Sequence, residues 1–213
     1  MEKLIIIGGG GHAGVLIDLI RTSGQYEISG ILDARLKIGS EVTGIPVLGN
    51  DDLLLELYDR GIRNACISVG SVKDNSRRKA LYGQVKQVGF FVPSLLHPQA
   101  CISKNGTKIS EGVQIMAGAI VQTGSSIGQN TIINTGAIIE HDCKIGEHIH
   151  VCPGAVVSGE CIINDGAFVG AGATIIHGIK IGKNSIVAAG AVVVNDVADG
   201  KTVMGVPARM VNA

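Results

Sequence analysis

Glu140-His141-Asp142 places one imidazole between two carboxylates. A carboxylate beside an imidazole orients the ring and raises its basicity, which suits a general base working near neutral pH. A second histidine, His150, stands nine residues on. Near the start of the chain, Gly8-Gly9-Gly10-Gly11 leads into His12-Ala13-Gly14. Glycines let the backbone approach a phosphate, and a helix opening there offers unpaired N–H groups and partial positive charge. Gly9, Gly11 and Gly14 match a dinucleotide fingerprint, and Asp33 follows about 20 residues later, as that fingerprint asks.

Two kinds of element must hold these groups. From Ile109 to Val193, fifteen Ile or Val residues recur at strict six-residue spacing. That period predicts a parallel β-helix. With the aliphatic slot as position 1, position 5 is dominated by small residues on the same strand face, so the core is stacked Ile/Val with small residues. Position 4 is Gly at nine hexads and Asn130, Asp142, His148, Glu160, Asn184 or Asp196 elsewhere. This column reads as left-handed corners. Three strands and three corners make an 18-residue coil, with coils about 4.8 Å apart. Asp142 and His148 are therefore explicable by backbone alone, and His177, two coils beyond His141, by a solvated corner. His141 occupies position 3, where the backbone asks for no histidine. His150 precedes Val151 and is expected to point outward from its strand.

The N-terminal part reads as strand (Lys3 to Ile7), glycine loop, helix (to about Ile20) and strand (Glu27 to Leu32), a βαβ unit. A short strand (Pro46 to Leu48), a helix (Asp51 to Asp59), a strand (Ala65 to Val69) and a helix (about Lys73 to Val88) complete it. This is short for a full dinucleotide fold, so a mononucleotide moiety fits better. Gly70 falls at the carboxyl edge, where open α/β sheets bind ligands. Charge density changes along the chain: 21 charged residues lie in 1–100 and 15 in 101–213. The expected domains are 1–92, Rossmann-like α/β, and 93–213, an all-β helix of hexapeptide repeats.

Basic and acidic residues balance at 18 each, so nothing favours nucleic acid or an anionic membrane as partner. No apolar run approaches the ~18 residues of a membrane span. The segment before the glycines is unlike a secretory signal. Five cysteines without scaffold spacing fit a reducing cytoplasm. Cys143 and Cys161 fall in the small-residue column and read as packing.

The chain resembles the hexapeptide-repeat acyltransferases, and in particular the sialic acid O-acetyltransferase and nucleotide-sugar N-acetyltransferase group that includes the bacillosamine and perosamine enzymes. The residues that carry the resemblance are Gly8 to His12, Leu32-Asp33, Ile139 to Cys143 and Gly205-Val206-Pro207-Ala208-Arg209. The resemblance implies a left-handed helix and a homotrimer with sites at subunit interfaces. It also implies acetyl-CoA as cosubstrate, without a metal, and a nucleotide-linked amino sugar as acceptor. His141 would be the base, with Asp142 its partner. His150, Gly159, Ala171 and Ala189 would follow the thioester and pantetheine arm, with Pro207 and Arg209 near the CoA nucleotide. Gly10, Gly11, His12, Asp33, Ala34 and Gly70 would hold the nucleotide-sugar. Gly10 stands where some members carry a hydroxyl, which removes any contact from that group.

Three other readings compete. O-acetylation of sialic acid or a related sugar lies in the same class. A metal hydratase of the carbonic anhydrase type would need three convergent histidines. A scaffold or nucleotide sensor would not need His141 at all.

Overall fold

The computed structural model describes residues 1–70 and 74–211. Residues 1–70 and 77–95 form one compact unit; residues 74–76 and 96–211 form another.

In the first unit the elements are β1 (Glu2–Ile7), α1 (Gly11–Ser23), β2 (Tyr26–Leu32), β3 (Glu41–Val42) and β4 (Ile45–Gly49). A 3-10 turn (Asp51–Leu53) then runs into α2 (Leu54–Asp59), β5 (Asn64–Ile67) and α3 (Ser76–Val88). The sheet order is β3-β4-β2-β1-β5, parallel except for the β3–β4 hairpin. β1 has a strand on either side, and Leu4 to Ile7 are at most 1% exposed. That explains its unbroken apolar run, since a strand buried on both faces needs no polar alternation. Ile5 and Ile7 pack with Leu54, Leu57, Leu81 and Val85 from α2 and α3.

Several local features differ from the sequence reading. β5 ends at Ile67 rather than Val69; beyond it the Ser68 hydroxyl bonds the carbonyls of Ile7 and Gly8. α3 starts at Ser76, whose N–H bonds Asp74 Oδ1 at 2.8 Å; the expected start at Lys73 lies outside the described residues. The β3–β4 hairpin turns at Thr43 and Gly44, both at positive φ, and the sequence reading did not anticipate it.

In the second unit each hexad contributes a two-residue strand ending at its aliphatic slot. Strands pair in parallel with the coil 18 residues away, as Ile120↔Ile138 and Ile138↔Val156. The result is three sheets of six, five and eight strands. The core is Ile and Val slots interleaved with Ala119, Ala137, Cys143, Ala155 and Cys161. All nine position-4 glycines have positive φ, as do Asn130, Asp142, His148, Glu160 and Asn184. Asp196 does not share that conformation; its carboxylate accepts the Lys180 N–H at 2.8 Å, and this hexad is the last of the repeat.

Position 5 holds more than packing. Ser125, Thr131 and Ser185 donate their hydroxyls to Glu140 O, Gly146 O and Ala198 O at 2.7–3.0 Å. The Cys143 and Cys161 thiols do the same to Ser158 O and Ile176 O at 3.2 and 3.1 Å. A buried hydroxyl left unpaired would be costly, and the corner carbonyls supply the partner. Among the described residues, no helix is long and apolar enough to cross a membrane.

Candidate active site

His141 follows the strand Ile138–Ile139 and is half exposed, 46% at its side chain. Its Nδ1 lies 3.0 Å from Asp142 Oδ2. The carboxylate is an acceptor, so Nδ1 carries the hydrogen and Nε2 keeps its lone pair. The Asp142 hydrogen bond is the main cause that raises the His141 pKa above the ordinary histidine value. Desolvation, the next largest influence, opposes it, and the charges of Asp142, Glu140 and Glu160 add to it.

Both members of this pair rest on glycine. A Cβ built on Gly159, one coil further on, would lie 2.5 Å from His141 Nε2 and 2.6 Å from Cε1. One coil back, a Cβ on Gly124 would collide with Asp142 Oδ1. The imidazole thus leans along the stack over a bare coil. The next side chain in that direction is His177, whose ring centroid is 6.2 Å from that of His141. His177 Nε2 is 3.7 Å from Glu160 Oε2 and its side chain is largely exposed, as a solvated corner allows, while its ring borders the space around His141.

His150 is 7% exposed, so the outward position does not leave it on open surface. Its Nε2 lies 3.0 Å from Asn134 Nδ2, and its ring meets Phe168 edge-on at 5.6 Å. The amide nitrogen donates, so Nε2 accepts and the ring hydrogen is on Nδ1. Asn134 escaped sequence reasoning; it is found only by asking what stacks beside His150 in the neighbouring coil.

In the first unit, Gly10 caps α1 and Gly11 and His12 open it. Gly8 needs its positive φ, and a Cβ on Gly9 would collide with Leu36. Around Gly10 and Gly11 nothing lies within 4 Å of an added Cβ. The backbone requires glycine at Gly8, a side chain at Gly9 would have to displace the exposed Leu36, and Gly10 and Gly11 are left as an open cradle. Asp33 Oδ2 accepts the Gly9 N–H at 2.8 Å, while Oδ1 accepts from Arg35 and Leu36 N–H at 2.8 and 3.2 Å. Burial opposes its ionisation, but these three N–H groups and the Arg35 charge outweigh it and lower the pKa. Asp33 therefore shapes the loop; Ala34 beside it is exposed. Gly70 is exposed next to His12, whose Cβ is 3.7 Å from a Cβ added there. Buried Arg78 secures this edge by donating to Ile67 O (2.6 Å) and Val69 O (3.2 Å). Burial pushes its guanidinium down to about 9.

The remaining expected contacts lie elsewhere on the helix. His141, Gly159 and His177 follow strands of the six-stranded sheet. His150 lies within the eight-stranded sheet, and Ala171 and Ala189 follow its strands. One chain therefore sets the two groups on different corners. Arg209 lines a 210 Å³ groove with Asn195, Asp196 and Met210; Pro207 is exposed nearby. Among the described residues of one chain, no group of three or more His, Cys, Asp or Glu could hold a metal ion.

Comparison with known proteins gives a consistent picture. The family described as the PglD N-terminal domain matches residues 3–85. The bacterial transferase hexapeptide family matches residues 124–159 and 160–195. No curated protein matches the chain. Among solved structures, one similar chain is a variant of perosamine N-acetyltransferase from Caulobacter crescentus in complex with CoA and GDP-perosamine. It is 36% identical with a TM-score of 0.94, over 100% of this chain and 98% of that one. The acetyltransferase domain of PglB from Neisseria gonorrhoeae, in complex with acetyl coenzyme A, is 36% identical with a TM-score of 0.91, over 99% of each chain. WeeI from Acinetobacter baumannii is 25% identical with a TM-score of 0.86, over 99% of this chain and 100% of that one.

Proposed function

Because the chain belongs to the sugar N-acetyltransferase family that joins a PglD N-terminal domain to left-handed hexapeptide repeats, we propose that it acetylates the amino group of a nucleotide-linked 4-amino-4,6-dideoxy sugar. Acetyl-CoA is the donor. The product feeds surface glycan or glycoprotein assembly in the cytoplasm, and His141 is the general base. The observation that carries the base assignment is the His141–Asp142 pair, with Nε2 left available over Gly159.

The chemistry needs no acyl-enzyme, since the thioester is already activated. His141 Nε2 takes a proton from the acceptor amine as its nitrogen attacks the acetyl carbon. Asp142 steadies the imidazolium that forms. Backbone N–H groups, with His150, hold the oxyanion. The C–S bond breaks, and the departing thiolate takes back the proton carried by His141. Placing both substrates together supplies much of the remaining rate.

Residues 1–92 hold the nucleotide-sugar through Gly10, Gly11, His12, Asp33, Ala34 and Gly70. Residues 93–213 hold acetyl-CoA through His150, Gly159, Ala171, Ala189, Pro207 and Arg209. The open space at Gly10 and Gly11 supports the first assignment. The separation of His141 from Ala171 and Ala189 on different corners supports a homotrimer, in which a second copy brings the two groups together.

The test is CoA release from acetyl-CoA against GDP-, UDP-, dTDP- and CMP-linked amino and hydroxy sugars, with wild type and His141→Asn. The expected result is turnover on an amino sugar, reduced by about 10²- to 10⁴-fold in the variant. Turnover only on hydroxyl acceptors moves the assignment to O-acetylation. Full activity of His141→Asn refutes the base.

A further inference from the structure

We propose that Ser125, one coil before the base, is a positioning residue for His141. The inference rests on His141 being the base, and it concerns what keeps that base in place. Ser125 is fully buried, at 0% exposure. Its hydroxyl donates to Glu140 O at 2.7 Å and accepts the Cys143 N–H at 3.0 Å. Residues 140 and 143 flank His141-Asp142, so one hydroxyl ties down both ends of the catalytic turn.

That turn has a reason to need tying. Asp142 sits at φ 58°, a left-handed conformation that L residues other than Asn and Asp rarely adopt and that even Asp adopts at some cost. Asp142 must also hold its carboxylate against His141 Nδ1. Main-chain bonds such as Asp142 N–H to Thr123 O (2.9 Å) keep the corner in the stack; without the two Ser125 bonds the turn has more freedom, and the carboxylate is held less firmly against the imidazole.

The rest of the helix repeats the device. Left-handed corners formed by neither Gly nor Asn occur in the repeat at Asp142, His148 and Glu160. Each has a donor at the position-5 site one coil before it: Ser125, Thr131 and Cys143. Thr131 makes the same pair of bonds as Ser125, to Gly146 O (3.0 Å) and from Ile149 N (3.1 Å), and so brackets Glu147-His148. Before Gly136, Gly154, Gly172 and Gly190 the corresponding residues are Ala119, Ala137, Ala155 and Ala173. Donors also precede two glycine corners: Thr107 before Gly124 and Cys161 before Gly178. The left-handed corners at Asn130 and Asn184 are preceded by Val113 and Ala167, so the donor accompanies the Asp, His and Glu corners rather than every corner of the fold.

The experiment compares Ser125→Ala, Ser125→Thr and Ser125→Cys with Ser185→Ala, which removes another fully buried hydroxyl. For each variant, kcat, KM for both substrates, the acid limb of the kcat/KM profile and Tm are measured. Ser125→Ala should lower kcat about 10- to 100-fold, with both KM values within about twofold. Its acid limb should move to lower pH, because the loosened Asp142 no longer raises the basicity of His141. Thr restores the hydroxyl and should restore kcat and profile; Cys, a weaker donor and acceptor, should fall between. Ser185→Ala should lower Tm and leave kcat unchanged. A Ser125→Ala enzyme that loses only Tm, as Ser185→Ala does, overturns the proposal. If the Ala variant does not fold, Thr and Cys variants with the same kcat and the same profile overturn it. His141→Asn distinguishes the two levels: if that variant is inactive while Ser125→Ala is not, only the positioning role fails.

Discussion

Gly159→Ala isolates the seat of His141, the proposed base. Gly159 does not have a left-handed φ, so alanine can take its backbone conformation without strain. Its carbonyl bond from the Gly178 N–H, 3.0 Å, involves only main chain and is retained. The new Cβ, however, would lie 2.5 Å from His141 Nε2, 2.6 Å from Cε1 and 3.0 Å from Cδ2. Ordinary contact begins near 3.4 Å, so Nε2 must retreat by about 0.9 Å. A displacement of ~1 Å from a near-attack geometry costs roughly 100-fold in rate, or about 2.7 kcal/mol of activation free energy. The assay is CoA release at saturating concentrations of both substrates, with thermal unfolding measured in parallel. The expected outcome is a kcat loss of about two orders of magnitude with Tm unchanged within a few degrees. Gly159 is also proposed to contact the pantetheine arm, and that contact would show as a higher KM for acetyl-CoA. Wild-type kcat, with or without a KM change, would refute the argument that the imidazole must lie over this glycine.

Asp142→Asn should move the acid limb of kcat/KM to lower pH. The carboxylate raises the His141 pKa and the base works unprotonated, so losing the carboxylate lets the ring deprotonate at lower pH. The plateau rate should fall about 10-fold or more, because the neutral amide steadies the imidazolium less well; a limb that stays in place would contradict the pairing. Asp33→Asn should raise KM for the nucleotide-sugar severalfold with kcat unchanged, since it weakens three N–H bonds that shape the glycine loop. The Asp33 pKa is depressed in the folded protein, so its stabilisation is present above the ordinary aspartate value and lost as pH falls through the folded value. Asp33→Asn should therefore flatten the acid side of a Tm-against-pH curve, which thermal scans from pH 3 to 6 would show.

Much of the architecture is legible in residue order because the β-helix is a local repeat. The two-residue strands, the left-handed corners and the 18-residue coil all follow from hexad columns. The βαβ start of the chain is legible for a similar reason: glycine cluster and apolar run are contiguous. Residue order is least informative at the ends of elements. Asp196 breaks the corner column where the repeat stops, and β5 stops short of Val69 where Ser68 turns its hydroxyl onto the carbonyls of Ile7 and Gly8 at the end of β1.

The site divides in the same way. Glu140-His141-Asp142 stands out from its columns without any coordinates, because position 3 has no backbone need for histidine. The 18-residue coil even brings Gly159 beside His141 on paper. The sequence does not determine which way the ring turns. A side chain chooses among staggered rotamers according to its neighbours, and here the ring took the bare side at Gly159 rather than the side of Thr123. Nor does the order of residues reveal that the Ser125 hydroxyl reaches both Glu140 O and Cys143 N, or that Asn134 meets His150 sixteen residues away. Those contacts depend on coils stacked in space, where hydrogen bonds form only at the distances and angles that packing allows. Residue order determined which histidine the repeat does not require; the stacked coils decided where its Nε2 points.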